Sequence, residues 1–231
     1  RGLGDVYKRQ ALEMLHCYSL IHDDMPCMDN DDYRRGRLSC HKQYGEATAL
    51  LAADALVTAA FEAVANAPTN PQSRVQAAAH LAKAAGARGM LYGQELDKHY
   101  ETVRASESEL LELHAHKTGA LIIAGVDLGC DAAQADDALC TALQHYAAEL
   151  GLVFQIVDDI LDVTATTEEL GKPVGSDAEN DKTTFITLYG LEGARSLAKQ
   201  HNDAALAALA DLGPEADFLR EMAVELLTRS K

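Results

Sequence analysis

The chain has 231 residues, 48% hydrophobic and 24% charged, with 36 Asp and Glu against 20 Lys and Arg, a formal net charge of −16. This composition is globular, and its acidic excess argues against broad nucleic-acid binding and against charge-driven docking on an anionic membrane. Five cysteines without a CxxC pair read as reduced thiols of a cytoplasmic protein. The apolar runs fall short of the roughly 20 residues of a membrane span, so no membrane anchor is expected.

Alanine- and leucine-rich segments with almost no strand-like alternation predict an all-α chain. Its helices are expected over 10–28, 46–66, 72–100, 107–128, 133–165, 182–191, 193–211 and 215–229. Residues 1–10 contain two glycines and no helical stripe. They are expected to be a foreign or frayed end, with a single domain over 11–231. Pro68 and Pro71 mark a connector, Pro173 a turn-rich loop, and Pro214 a helix's first turn.

The first polar stripe is His16, Ser19 and Asp23, spaced i, i+3, i+7 in an apolar helical segment. Asp24 follows, and Asp29 lies six residues beyond Asp23, on another face of a regular helix. Pro26 supplies a reason for distortion, because it lacks an N–H and clashes with the carbonyl one turn back. A local bulge there would return Asp29 to the Asp23 side. Arg34 and Arg35, forked donors suited to phosphate oxygens, come next.

Further along, Lys117-Thr118 sits in an expected helix. Phe154-Gln-Ile-Val-Asp-Asp-Ile-Leu-Asp162 then places Gln155, Asp158 and Asp162 on one stripe with Asp159 beside it. Acidic clusters are usually solvated faces or carboxylates paired with arginine. Here Val153, Ile156, Val157, Ile160 and Leu161 make the helix apolar nearly all round, which belongs in an interior. Buried carboxylates are costly unless paired or metal-bound. Hard oxygen donors facing an anion through divalent cations point to Mg²⁺. Lys172 and Lys182 flank the loop that follows and could close over a phosphate.

Asp23-Asp24-Met-Pro-Cys-Met-Asp29 and Asp158-Asp159-Ile-Leu-Asp162 resemble the two aspartate-rich motifs of the trans-prenyl diphosphate synthases, the first with the two-residue insertion of bacterial farnesyl-type members. His-Lys-Thr-Gly (116–119), Gly-Gln-Glu-Leu-Asp (93–97), the 36–46 segment and Gly-Lys-Pro (171–173) match as well. The resemblance covers about residues 11–229. It implies an isoprenoid synthase-type helical bundle around a central cavity, usually homodimeric, that joins an allylic diphosphate to isopentenyl diphosphate.

By that resemblance Asp23, Asp29 and Asp158 ligate Mg²⁺, with Asp24, Asp159 and Asp162 as further ligands or water partners. Arg34, Lys117, Thr118, Gln155, Lys172 and Lys182 hold the allylic diphosphate, and His16 and Arg35 serve the isopentenyl side. Tyr18, about 7.5 Å before Asp23 along the axis, is expected to block the chain-length tunnel. The family's basic segment upstream of the first motif is missing, and Lys8-Arg9 is no substitute. The chain is therefore expected to lack N-terminal helices and to bind allylic diphosphate with Mg²⁺, with weak or absent turnover. A geranylgeranyl diphosphate synthase is the nearest alternative. A class I terpene cyclase, a non-catalytic synthase subunit, a di-iron bundle and an EF-hand each lack their own residue pattern.

Overall fold

A computed structural model describes residues 3–164 and 182–229. Helix α1 spans Leu3–Asp23, so the chain is helical well before the expected start. Gly4, Lys8, Ala11, Leu15 and Tyr18 form one buried stripe. Its first two positions carry a glycine and a lysine, which hid the period. Gly4 faces Thr69, where a β-carbon would stand 1.9 Å from the threonine methyl. Lys8, only 1% exposed, donates from Nζ to Ser73 Oγ at 3.0 Å.

The expected continuation to residue 28 does not occur. Beyond Asp23 the chain makes a wide turn in which Asp29 N–H donates to the Asp23 carbonyl at 2.9 Å and Met28 N–H to that of Met25 at 2.8 Å. Pro26 disfavours helical backbone in the residue before it. Asp29 returns to the end of α1 through this turn rather than through a bulge inside a longer helix.

Residues 33–38 form a small hairpin that the sequence reading lacked. Strand β1 (Tyr33–Arg34) pairs antiparallel with β2 (Arg37–Leu38), with Arg34 opposite Arg37. Its two loop residues, Arg35 (φ 52°) and Gly36 (φ 73°), both adopt positive φ, the requirement of the tight turn that matches strand twist.

Helices α2 (Cys40–Tyr44) and α3 (Glu46–Ala65) follow. In α3, Ala49, Ala53, Ala60 and Val64 are buried, and the helix packs chiefly against α1. By length and composition α3, whose most apolar stretch has a mean hydropathy of 1.6, could cross a membrane. Asp54 and Glu62 interrupt its apolar run and made it look shorter in the sequence. Helix α4 (Pro71–Ala85) starts on Asn70, whose side chain accepts from Ser73 N–H at 2.8 Å.

The single helix expected over 72–100 is broken. The break falls at Gly86–Gly89, where a β-carbon on Gly89 would stand 2.1 Å from the Ala84 carbonyl oxygen. Helix α5 (Met90–Tyr100) resumes after it. Helix α6 (Glu107–His114) opens with Glu109 accepting from Ser106 N–H at 2.7 Å. A π-helical turn, Ala115–Gly119, then leads into α7 (Ala120–Ala133). Helix α8 covers Asp137–Thr164 and α9 Phe185–Ala208, the latter broken at Gly190 (φ 67°) near the boundary expected between two helices. A 3₁₀ turn at Pro214–Ala216 precedes α10 (Asp217–Thr228).

Three apolar clusters hold these elements. Leu15, Tyr18, Val64 and Leu81 join α1, α3 and α4. Leu110, Val153, Ile156 and Phe185 join α6, α8 and α9. Tyr146, Leu150 and Leu209 anchor the α10 end. Two glycines then fit helices to the π-helical turn. A β-carbon on Gly93 of α5 would lie 2.1 Å from Lys117 N, and one on Gly151 of α8 would lie 3.3 Å from Gly119 Cα. The turn is thus gripped from both sides, by the helix bearing Asp97 and by the helix bearing the second aspartate-rich motif.

Candidate active site

The π-helical turn carries Lys117 and Thr118. Such turns insert a residue into a helix and re-aim side chains, often at functional sites. Lys117 Nζ donates to Asp97 Oδ2 at 2.6 Å and lies 3.7 Å from Asp23 Oδ1. Gln94 Nε2 donates to the same Asp23 oxygen at 2.8 Å. Lys182 stands 4.0 Å from Asp97 Oδ2 and 3.4 Å from Glu101 Oε1. Asp23, Lys117 and Lys182 of the sequence reading therefore meet in one network, joined through Asp97 and Glu101.

Burial opposes the Lys117 charge, but Asp23 and Asp97 outweigh it, so its ammonium is held above the usual lysine range. Burial likewise opposes the charge on Asp97, yet Lys117 and Lys182 hold its carboxyl below the usual range. His114 responds differently. Burial, with the Lys117 charge adding, pushes its imidazole down to about 4, against the attraction of Asp97.

Asp29 joins the network from the wide turn. Its carboxylate and those of Asp97 and Glu101 offer oxygens that all lie within 4.8 Å of one another. Lys98 Nζ reaches Asp29 Oδ1 at 3.4 Å. The Gln94 side-chain oxygen is buried and has no hydrogen-bond partner, so a polar group is wanted beside Asp23. An all-oxygen donor set of this kind fits Mg²⁺. On these contacts Asp29 gathers with Asp97 and Glu101.

The second motif approaches through Gln155, whose Oε1 accepts from Thr118 Oγ1 at 2.8 Å. Asp158 forms an ion pair with Arg229, whose guanidinium also donates to the Phe154 carbonyl at 3.2 Å and lies 4.4 Å over the Phe154 ring. Asp159 is buried and accepts from Phe185 N–H at 2.7 Å, capping the start of α9. That contact gives Asp159 a positioning part at the start of α9. Asp162 is buried at 6% exposure.

Asp24, 2% exposed, is taken up by Arg34, which donates Nε and Nη2 to it at 2.6 to 2.9 Å. This fork fixes the hairpin to the end of α1, and through it Asp24 orients Arg34. Arg35 is exposed at the hairpin tip. The carbonyl of half-buried His16 accepts from Ser19 Oγ at 2.8 Å. Tyr18 is buried in the first apolar cluster, edge-on to His22 at 5.3 Å. Lys172 lies outside the described residues.

Gln94, Asp97, Lys98, Glu101 and Arg229 were not among the expected site residues. The i, i+4 pair Asp97 and Glu101, which begins in a segment that already matched, was the signal available for those two. Arg229 offered none, since a lysine or arginine near a helix end is common.

Residues 7–213 match the family model described as Polyprenyl synthetase. The chain is 44% identical over 221 residues to the farnesyl diphosphate synthase of Micrococcus luteus, covering 96% of this chain and 76% of that protein. Among solved structures, a geranyltransferase of Helicobacter pylori complexed with magnesium and isoprenyl diphosphate superposes with a TM-score of 0.85 at 39% identity, over 96% of this chain and 73% of that one. The geranylgeranyl pyrophosphate synthetase of Pyrococcus horikoshii gives a TM-score of 0.90 at 30% identity, over 98% and 80%.

Proposed function

Since the chain belongs to the polyprenyl synthetase family, we propose that it is a transferase that joins dimethylallyl or geranyl diphosphate to isopentenyl diphosphate, with farnesyl diphosphate as product. The observation that carries this reading is the network of Asp23, Asp29, Asp97 and Glu101 faced by Lys117 and Lys182. It offers carboxylates for divalent cations beside ammonium groups for an anion.

Asp23 and Asp29, with Asp97 and Glu101, would hold Mg²⁺, and Asp158 and Asp162 would do so from the second motif. The bound ions would supply electrostatic stabilisation of charge developing on the leaving diphosphate. Lys117 and Lys182 add donors to the same oxygens, and Arg34, preset by Asp24, adds a forked one. The allylic C–O bond breaks, with its electron pair leaving on the diphosphate. The double bond of isopentenyl diphosphate then attacks the allylic cation, and a proton is lost, with the released diphosphate as base. Gln155, held by the Thr118 hydroxyl, offers an oxygen dipole to the cation, so no protein nucleophile is needed.

We read the active form as a homodimer. Helix α3 is strongly apolar, yet only 22% of its most apolar window is buried, and Leu50 and Leu51 are exposed. A second copy would cover such a face. The five free thiols support a reducing compartment, the cytoplasm.

The test is incubation with labelled isopentenyl diphosphate and either dimethylallyl or geranyl diphosphate, with Mg²⁺ or with excess EDTA, followed by sizing of products. Fifteen-carbon product that vanishes with EDTA is expected. Twenty-carbon product would reassign the chain length, and allylic diphosphate binding without any product would refute turnover by this chain.

A further inference from the structure

We propose that Lys98 is a resident counter-cation of the metal site, occupying the Asp29 carboxylate until a divalent ion displaces it; this rests on the metal-dependent reading above. Lys98 follows Asp97 on α5, and its Nζ has three acceptors: Glu101 Oε1 at 2.6 Å, the Met28 carbonyl at 3.0 Å and Asp29 Oδ1 at 3.4 Å. Two of these belong to the three carboxylates whose oxygens lie within 4.8 Å of one another. The third is the backbone of the wide turn that carries Asp29. One ammonium therefore ties that turn to α5 and answers the charges a metal ion would answer.

The chemistry suits an exchange. Clustered carboxylates repel one another, and a cation among them relieves that repulsion. A lysine ammonium is a compact, hydrated charge on a flexible stem, and this one is partly exposed, so it can swing away while staying solvated. Lys117 and Lys182 reach Asp97 and Glu101, whereas Lys98 holds Asp29. An arriving diphosphate offers the displaced ammonium a new partner, so Lys98 couples metal uptake to the arrival of the anion. It is a positioning residue whose effect is read in metal affinity.

The full 231-residue chain, as parent, Lys98→Met and Lys98→Arg, is titrated with Mn²⁺ and free ion is followed by electron paramagnetic resonance, with and without inorganic pyrophosphate. Removing one positive charge beside a divalent ion should tighten Mn²⁺ binding roughly tenfold in Lys98→Met without pyrophosphate. Lys98→Arg should stay near the parent, and pyrophosphate should narrow the gap. Lys98→Gln repeats the measurement if the methionine variant does not fold. Equal or weaker Mn²⁺ binding in a folded Lys98→Met or Lys98→Gln protein would overturn the proposal while leaving the metal site standing. A parent that binds no Mn²⁺ under either condition would overturn both.

Discussion

Burial governs what Tyr18 and His114 contribute to the folded chain. Tyr18 is 4% exposed in the cluster that joins α1, α3 and α4, on the same helix as Asp23 and one and a half turns before it. Tyr18→Ala should therefore cost about 3 kcal/mol in urea unfolding and lengthen the prenyl products. An unchanged product ladder in a variant that still folds would make Tyr18 a packing residue only.

His114 stacks on Phe185 at 5.4 Å, and its folded-state value sits at about 4 against an ordinary 6.5, mainly through burial. The unfolded chain thus takes up a proton that the folded chain refuses. The stability linked to neutral His114 is complete above pH 6.5 and is lost as pH falls toward 4. Unfolding free energies from urea titrations at pH 7 and pH 4.5 should differ less in His114→Phe than in the parent, by on the order of 2 kcal/mol.

At the scale of elements, the π-helical turn is the piece on which the site is mounted. Lys117 and Thr118 leave it toward Asp97 and Gln155, while Gly93 and Gly151 let α5 and α8 approach its backbone. Gly93→Ala would drive a β-carbon into Lys117 N and Cα. Relief requires moving α5 away from the turn, and with it Asp97. Steady-state kinetics should show at least a tenfold loss of condensation rate, because small displacements of positioning groups are costly. Destabilisation should stay near 1–3 kcal/mol. A fully active Gly93→Ala protein would show that the close approach is not needed.

For the molecule as a whole, the outer face of α3 is an exposed apolar surface. Leu51 is 67% exposed on a helix whose most apolar stretch has a mean hydropathy of 1.6. If a second copy covers it, Leu51→Glu should convert a sedimenting dimer to a monomer with its helical circular dichroism intact. A parent chain that already sediments as a monomer would remove the homodimer reading.

Amino-acid order alone was enough for the all-α class and most helix positions, because apolar periodicity and carboxylates at helical spacing are local properties of the chain, and the resemblance of its motifs pointed to the family. It was misled where a local signal was absent or ambiguous. Gly4 and Lys8 concealed the beginning of α1, and the glycines at 86 and 89 looked tolerable inside a helix. Which partner each carboxylate takes was a matter for the folded chain. Asp24 went to Arg34, Asp159 to Phe185 N–H, Asp158 to Arg229, and Asp29 to Lys98 beside Asp97 and Glu101. Charges far apart in sequence find one another only once packing has set the distances between their helices, and no spacing rule along the chain encodes those distances.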